Sequence, residues 1–196
     1  MEFLKDRQFV FQFAKRTKCN LDIMDNALKE GKEVYEVTQL VSSLMGLIVF
    51  PKERSVTIKD LTIQKAILNI CRPNTQIKTG KKQLSLNEYI KYMRHALSHC
   101  HVFFPSTTRQ GKRIIEKVVF INCDHVNDVS PCKSGRKSRT CLQCRYKNKS
   151  PEKPDFVLAL TVQDMRKVVD LIVEDFVKQA EAEEKEKSKN TASQPK

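Results

Sequence analysis

The chain has 196 residues, 36 Lys and Arg against 23 Asp and Glu, a formal net charge of +13 and 40% hydrophobic residues. That length holds one domain with a sizeable core, and the absence of Trp together with only 5 Gly favours helices over a barrel or sandwich. The longest apolar run, "LMGLIVF" at residues 44–50, falls far short of the roughly 20 residues that span a bilayer, so a membrane chain is excluded, and the positive excess points to a polyanionic partner, nucleic acid first.

The opening stretch "MEFLKDRQFVFQF" carries charges where a secretory signal needs an unbroken apolar run, which predicts a cytoplasmic protein. In that reducing compartment the 7 cysteines are expected as buried thiols or metal ligands rather than disulfides.

Residues 3–30 read as the first helix, with Phe9, Phe13, Ile23, Ala27 and Leu28 as inward candidates, Asn20 as a candidate break and Gly31 as its stop. A second helix covers residues 33–50, where Val37, Leu40, Val41, Leu44, Leu47 and Ile48 recur at three- and four-residue spacing until Pro51 ends it. A third, residues 58–71, sets Leu61, Ala66, Ile67 and Ile70 on one side. Residues 74–82, "NTQIKTGKK", read as a polar loop.

The fourth helix begins at Ser85, an N-cap with Glu88 three positions on, a capping-box spacing. The pattern then changes period: "HVFFP", "RIIEKVVFIN" and "DFVLALT" are dense in β-branched and aromatic residues, as in short strands or a ribbon. The last helix carries Met165, Val168, Val169, Ile172 and Phe176 as an apolar stripe, with Thr161 as a candidate cap. The prediction is therefore a mainly α fold: a helical domain over residues 1–180 with a small β-ribbon, a basic Cys-rich insertion at 123–153 before the last helix, and a disordered charged tail at 181–196.

Within the fourth helix, "YMRHALSHC" at residues 92–100 concentrates chemistry. His95, His99 and His101 are three of only 4 histidines. Leu86, Ile90, Met93 and Leu97 fix the buried face, Arg94 sits at its edge, and His95 and His99 share a flank turned from the core. Arg94 and His99 stand five positions and roughly 140° apart, so one regular helix cannot aim both at one atom. Two copies across a twofold axis, or a fraying helix end, can. The same residues also describe a solvent-facing Arg and His pair complementing the dipole at a helix C-terminus.

Arg94-His95-Ala96-Leu97-Ser98-His99 resembles the R-x4-6-H motif of HEPN domains, the higher eukaryotes and prokaryotes nucleotide-binding superfamily. Residues 35–53, "YEVTQLVSSLMGLIVFPKE", look like the second helix of a plasmid-borne HEPN nuclease subfamily. The resemblance implies a helical bundle that forms a homodimer with the two motif helices face to face, and metal-independent endoribonuclease activity. It implies Arg94 and His99 as catalytic residues and His95 as the polar position that shapes the site. The expected products are a 2′,3′-cyclic phosphate and a 5′-hydroxyl, in a defence or toxin role with an antitoxin or defence-system partner. Some toxin relatives carry, two residues after the histidine, a tyrosine that a partner nucleotidyltransferase modifies; here that position is His101.

The insertion holds Cys123, His125, Cys132, Cys141 and Cys144. Cys141-x2-Cys144 is a zinc-knuckle spacing, and Cys132 with Cys123 or His125 completes four ligands for one structural Zn²⁺. A flexible basic loop with incidental cysteines is the competing reading. From Cys132 through Lys153 there are eight basic residues and one acidic. Lys133, Arg136, Lys137, Arg139, Arg145 and Lys147 are candidate phosphate contacts to RNA. A non-catalytic HEPN module that binds RNA or nucleotide, and a helical adaptor with incidental charge, remain the alternatives to the nuclease.

Overall fold

The computed structural model describes residues 6–53, 56–77, 83–109, 112–122 and 156–192. These fold as two compact units: one of residues up to Ile70 and from Val162 onward, the other Cys71–Thr161. The fold is mainly α, as the sequence predicts.

The first unit is helical, built from α1 (Asp6–Lys29), α2 (Glu36–Glu53), α3 (Leu61–Cys71, ending at the unit boundary) and α5 (Val162–Ala192). α1, α2 and α5 pack on one another. Leu40, Leu44, Leu47 and Ile48 are buried from α2, and Met165, Val168, Val169, Ile172 and Phe176 from α5, the faces their spacing predicts. Each such side chain contributes about 1.5–3 kcal/mol by leaving water. α1 differs: Val10, Phe11, Ala14, Leu21 and Met24 are buried, while Phe9, Ile23 and Leu28 are exposed. Its apolar residues run round the whole helix, so periodicity alone does not choose the inward face. Leu61 is likewise exposed, with Ile63 buried in its place, while Ile67 is buried as predicted.

Other departures have local causes. α1 is unbroken at Asn20. Pro51 lies inside α2, which runs on to Glu53, because a proline near a C-terminus forfeits only its own amide bond. The tail predicted disordered from residue 181 is helical through Ala192. Ala180 is buried, and Glu183 and Glu184 meet Arg7 at 3.1 Å and Lys15 at 3.0 Å on α1, so α1 offers a surface to a segment rich in good helix formers. Residues 193–196 lie outside the described residues.

Two polar anchors fix this unit. Arg166 on α5 donates from both terminal nitrogens to Asp25 on α1 at 2.9 Å, and from Nε to Asp170. Asp175, buried on α5, accepts from the main-chain amides of Lys59 at 3.1 Å and Asp60 at 2.7 Å, and from Gln179. This holds the turn in which Asp60 caps α3 through the amides of Thr62 and Ile63.

The second unit sets α4 (Leu86–Ser98) on a four-stranded antiparallel sheet. Its strands are β1 (Thr75–Ile77), β2 (Val102–Phe103), β5 (Lys117–Asn122) and β6 (Phe156–Thr161), in the order β1-β6-β5-β2. A hairpin of β3 (Ser106–Arg109) and β4 (Lys112–Ile115) connects β2 to β5. β1 lies in the stretch read as a polar loop: Thr75 and Ile77 are half-buried where they pair with β6. Along β5 and β6 alternate residues are buried, among them Val118, Phe120, Phe156, Leu158 and Leu160. Tyr92 and Tyr89 of α4 stack on Phe156 with ring centres 4.7 and 6.0 Å away. The sheet is larger than the ribbon predicted.

Asn122 pairs with Phe156 across β5 and β6. Residues 123–155, which include the whole predicted insertion, depart from and return to this pair and lie outside the described residues.

Candidate active site

The site is built from the two ends of α4. At its start the capping box forms as the sequence predicts: Ser85 Oγ accepts from the Glu88 amide at 3.4 Å, and Glu88 Oε2 accepts from the Ser85 amide at 2.9 Å. With the start fixed, the amphipathic pattern sets the helix rotation. Leu86, Tyr89, Met93, Ala96 and Leu97 are buried, which leaves Arg94 half-buried at the edge and His95 and His99 exposed. The helix is regular through Ser98, and His99 is its C-cap, with φ -104 and ψ 11 outside the helical region. Arg94 makes no hydrogen bond or ion pair among the described residues.

The helix ends in a Schellman turn. His99 is the C-cap and donates to His95 O at 3.1 Å; Cys100 donates to Leu97 O at 3.2 Å and His101 to Ala96 O at 2.7 Å. Such a turn needs one residue in the left-handed region, and here it is Cys100, with φ 55. α1 ends in the same way, with amides of Gly31 and Lys32 bonded to Leu28 O and Ala27 O and Gly31 at φ 73. A cysteine in that conformation costs about 1–2 kcal/mol that glycine avoids.

The reversal gathers three imidazoles into a row. The His95 and His99 rings lie 4.6 Å apart at 70°, and the His99 and His101 rings 5.9 Å apart at 34°. His101 is only 7% exposed, its Nε2 has no hydrogen-bond partner among the described residues, and its carbonyl accepts from the Ile121 amide on β5 at 3.1 Å. Burial, and then the charges of His99 and His95, hold its pKa below the ordinary histidine value. An orphaned buried polar atom costs about 1–3 kcal/mol, so the His99-Cys100-His101 tripeptide carries two separate expenses in three residues.

The sequence placed Arg94, His95 and His99 on this helix but gave His101 no role. Its spacing from His99 was visible; the turn that folds it back was not, because nothing in the pattern marks a cysteine as left-handed. The candidate RNA contacts Lys133, Arg136, Lys137, Arg139, Arg145 and Lys147 and the candidate zinc ligands Cys123, His125, Cys132, Cys141 and Cys144 lie outside the described residues. Among the described residues no three His, Cys, Asp or Glu are arranged to hold a metal ion, and no helix is long and apolar enough to cross a membrane. Ile121, which donates to the His101 carbonyl, is next to Asn122, the last described residue before position 123.

Chemically, the end of α4 offers what a phosphodiester needs. Imidazoles exchange protons near neutral pH, and an unpaired guanidinium complements phosphate oxygens. Residues 1–183 match the HEPN pEK499 p136 family, and the chain belongs to it. It is thus a HEPN-type domain, a class of nuclease and RNA-binding modules. No curated protein and no solved structure matches the chain.

Proposed function

We propose that the protein is an endoribonuclease that needs no metal ion for catalysis and works as a homodimer with two α4 ends face to face. The observation that carries this reading is the exposed His95 and His99 pair, with ring centres 4.6 Å apart, at the same end of α4 as the half-buried Arg94. In the dimer, His99 of one chain takes the proton from a ribose 2′-hydroxyl. The resulting oxygen attacks the adjacent phosphorus, and the 5′-oxygen leaves with a proton from the second imidazole. The bond broken is P–O5′ and the bond formed is P–O2′, giving a 2′,3′-cyclic phosphate and a 5′-hydroxyl. Arg94 holds the non-bridging oxygens as negative charge grows on them, and His95 shapes the pocket. Pairing two chains overcomes the 140° between Arg94 and His99.

The basic insertion then tracks the RNA backbone toward the cleavage point from its root at Asn122 and Phe156. An RNA-cutting activity of this kind suits a toxin or a defence effector restrained by an antitoxin or defence-system partner. Purified Arg94→Ala and His99→Ala chains should keep their fold and dimer and lose RNA cleavage. Cleavage by both at the parent rate would remove the assignment.

A second reading has its own support. Eight basic residues against one acidic from Cys132 through Lys153 fit an RNA-binding HEPN module without catalysis. It predicts a gel shift that weakens steeply with salt and yields no new RNA ends.

A further inference from the structure

We propose, resting on the nuclease reading, that His101 is the positioning residue for His99: its imidazole, seated behind that of His99 with Nε2 unpartnered, fixes the ring and governs its proton transfer. Three independent features of the fold converge on this seat. The left-handed turn at Cys100 brings His101 back to within 5.9 Å of the His99 ring. The Ile121 amide ties its carbonyl to β5. The position is the one a Schellman turn ordinarily fills with an apolar side chain packed on the helix, and here it holds a polar ring that is 7% exposed. An apolar residue would satisfy the turn without leaving a buried nitrogen unbonded. A buried group maintained against its own stability is a mark of function.

The groups whose charge reaches His101 are His99 and His95 on α4. Among the described residues β5 meets it through Ile121, which is not titratable. The burial of His101 favours the neutral ring, in line with its lowered pKa. When His101 is itself protonated, the new charge and its need for water disturb the turn that carries His99.

The test uses the full chain and His101→Phe, with His101→Gln as a second variant should the first misfold. With only 4 histidines in the chain, each imidazole can be followed by NMR as pH falls. The His99 signal of the parent should move in two steps, the lower one coincident with titration of His101, and the variant should lose the lower step. Identical His99 curves in parent and variant would overturn the proposal, whether or not the protein cuts RNA. For cleavage, kcat should fall about 10–100-fold with RNA affinity unchanged, and the acid limb of the pH profile should go from two-proton to one-proton steepness. The midpoint of thermal unfolding should hold or rise. A lowered midpoint with an unchanged pH profile would make His101 a packing residue only.

Discussion

The His101 imidazole lies 5.9 Å from that of His99, although the helix that carries His99 ends between them. The link is a single left-handed residue, Cys100. Around it, local backbone chemistry and the candidate chemistry of the site become one problem, since anything that relaxes the turn also moves an imidazole.

Cys100→Gly should stabilise the protein by about 1 kcal/mol, because glycine adopts φ 55 without the Cβ clash. For a chain of this size that is a rise of about 2–4 °C in the unfolding midpoint. Cys100→Val should lower it by a similar amount. Calorimetry of the two variants checks both signs, and a midpoint that falls for glycine would contradict the turn assignment.

Stability should also depend on pH through His101. Its folded-state pKa lies below the ordinary value, so the unfolded chain binds the proton more readily. The sign follows: His101 contributes no penalty above about pH 6.5, and stability falls as pH drops through that value toward its lower folded pKa. His101→Phe should flatten this part of the curve. Urea unfolding at stepped pH measures it, and equal slopes for parent and variant would count against burial of a neutral ring.

In the helical unit, Asp175→Ala should cost about 2–4 kcal/mol, since it leaves the amides of Lys59 and Asp60 without their acceptor. Asp175 is far from the histidine row in sequence and in a different unit. A loss below about 0.5 kcal/mol in denaturant unfolding, the size of an ordinary surface change, would show that the turn before α3 does not need it.

The cysteine spacing of the insertion predicts one zinc ion per chain. Metal analysis after dialysis should find it in the parent and lose it in a Cys141→Ser, Cys144→Ser double variant. Zinc-free parent protein prepared without chelator would leave the incidental-cysteine reading standing.

How far the sequence reached depended on how uniquely each pattern maps to geometry. The capping box at Ser85 and Glu88 and the stripes of α2 and α5 have one reading each, and the structure adopts it. α1 has apolar side chains on every side, so Phe9, Ile23 and Leu28 looked as suited to burial as Val10, Leu21 and Met24. β1 is a polar "TQI" that becomes a strand only because β6 lies beside it, and the helical tail depends on Arg7 and Lys15 of α1. These are tertiary effects with no local signature. On α4, the edge position of Arg94 and the outward flank of His95 and His99 were legible from spacing. His101 was not, since its place depends on a backbone conformation that cysteine rarely adopts.

The central claim is tested most directly by incubating purified protein with RNA in EDTA and identifying the ends of every fragment. The account predicts 2′,3′-cyclic phosphate and 5′-hydroxyl ends from the parent chain, and intact RNA with Arg94→Ala or His99→Ala. RNA that is bound yet uncut by the parent, or fragments with other ends, would contradict it.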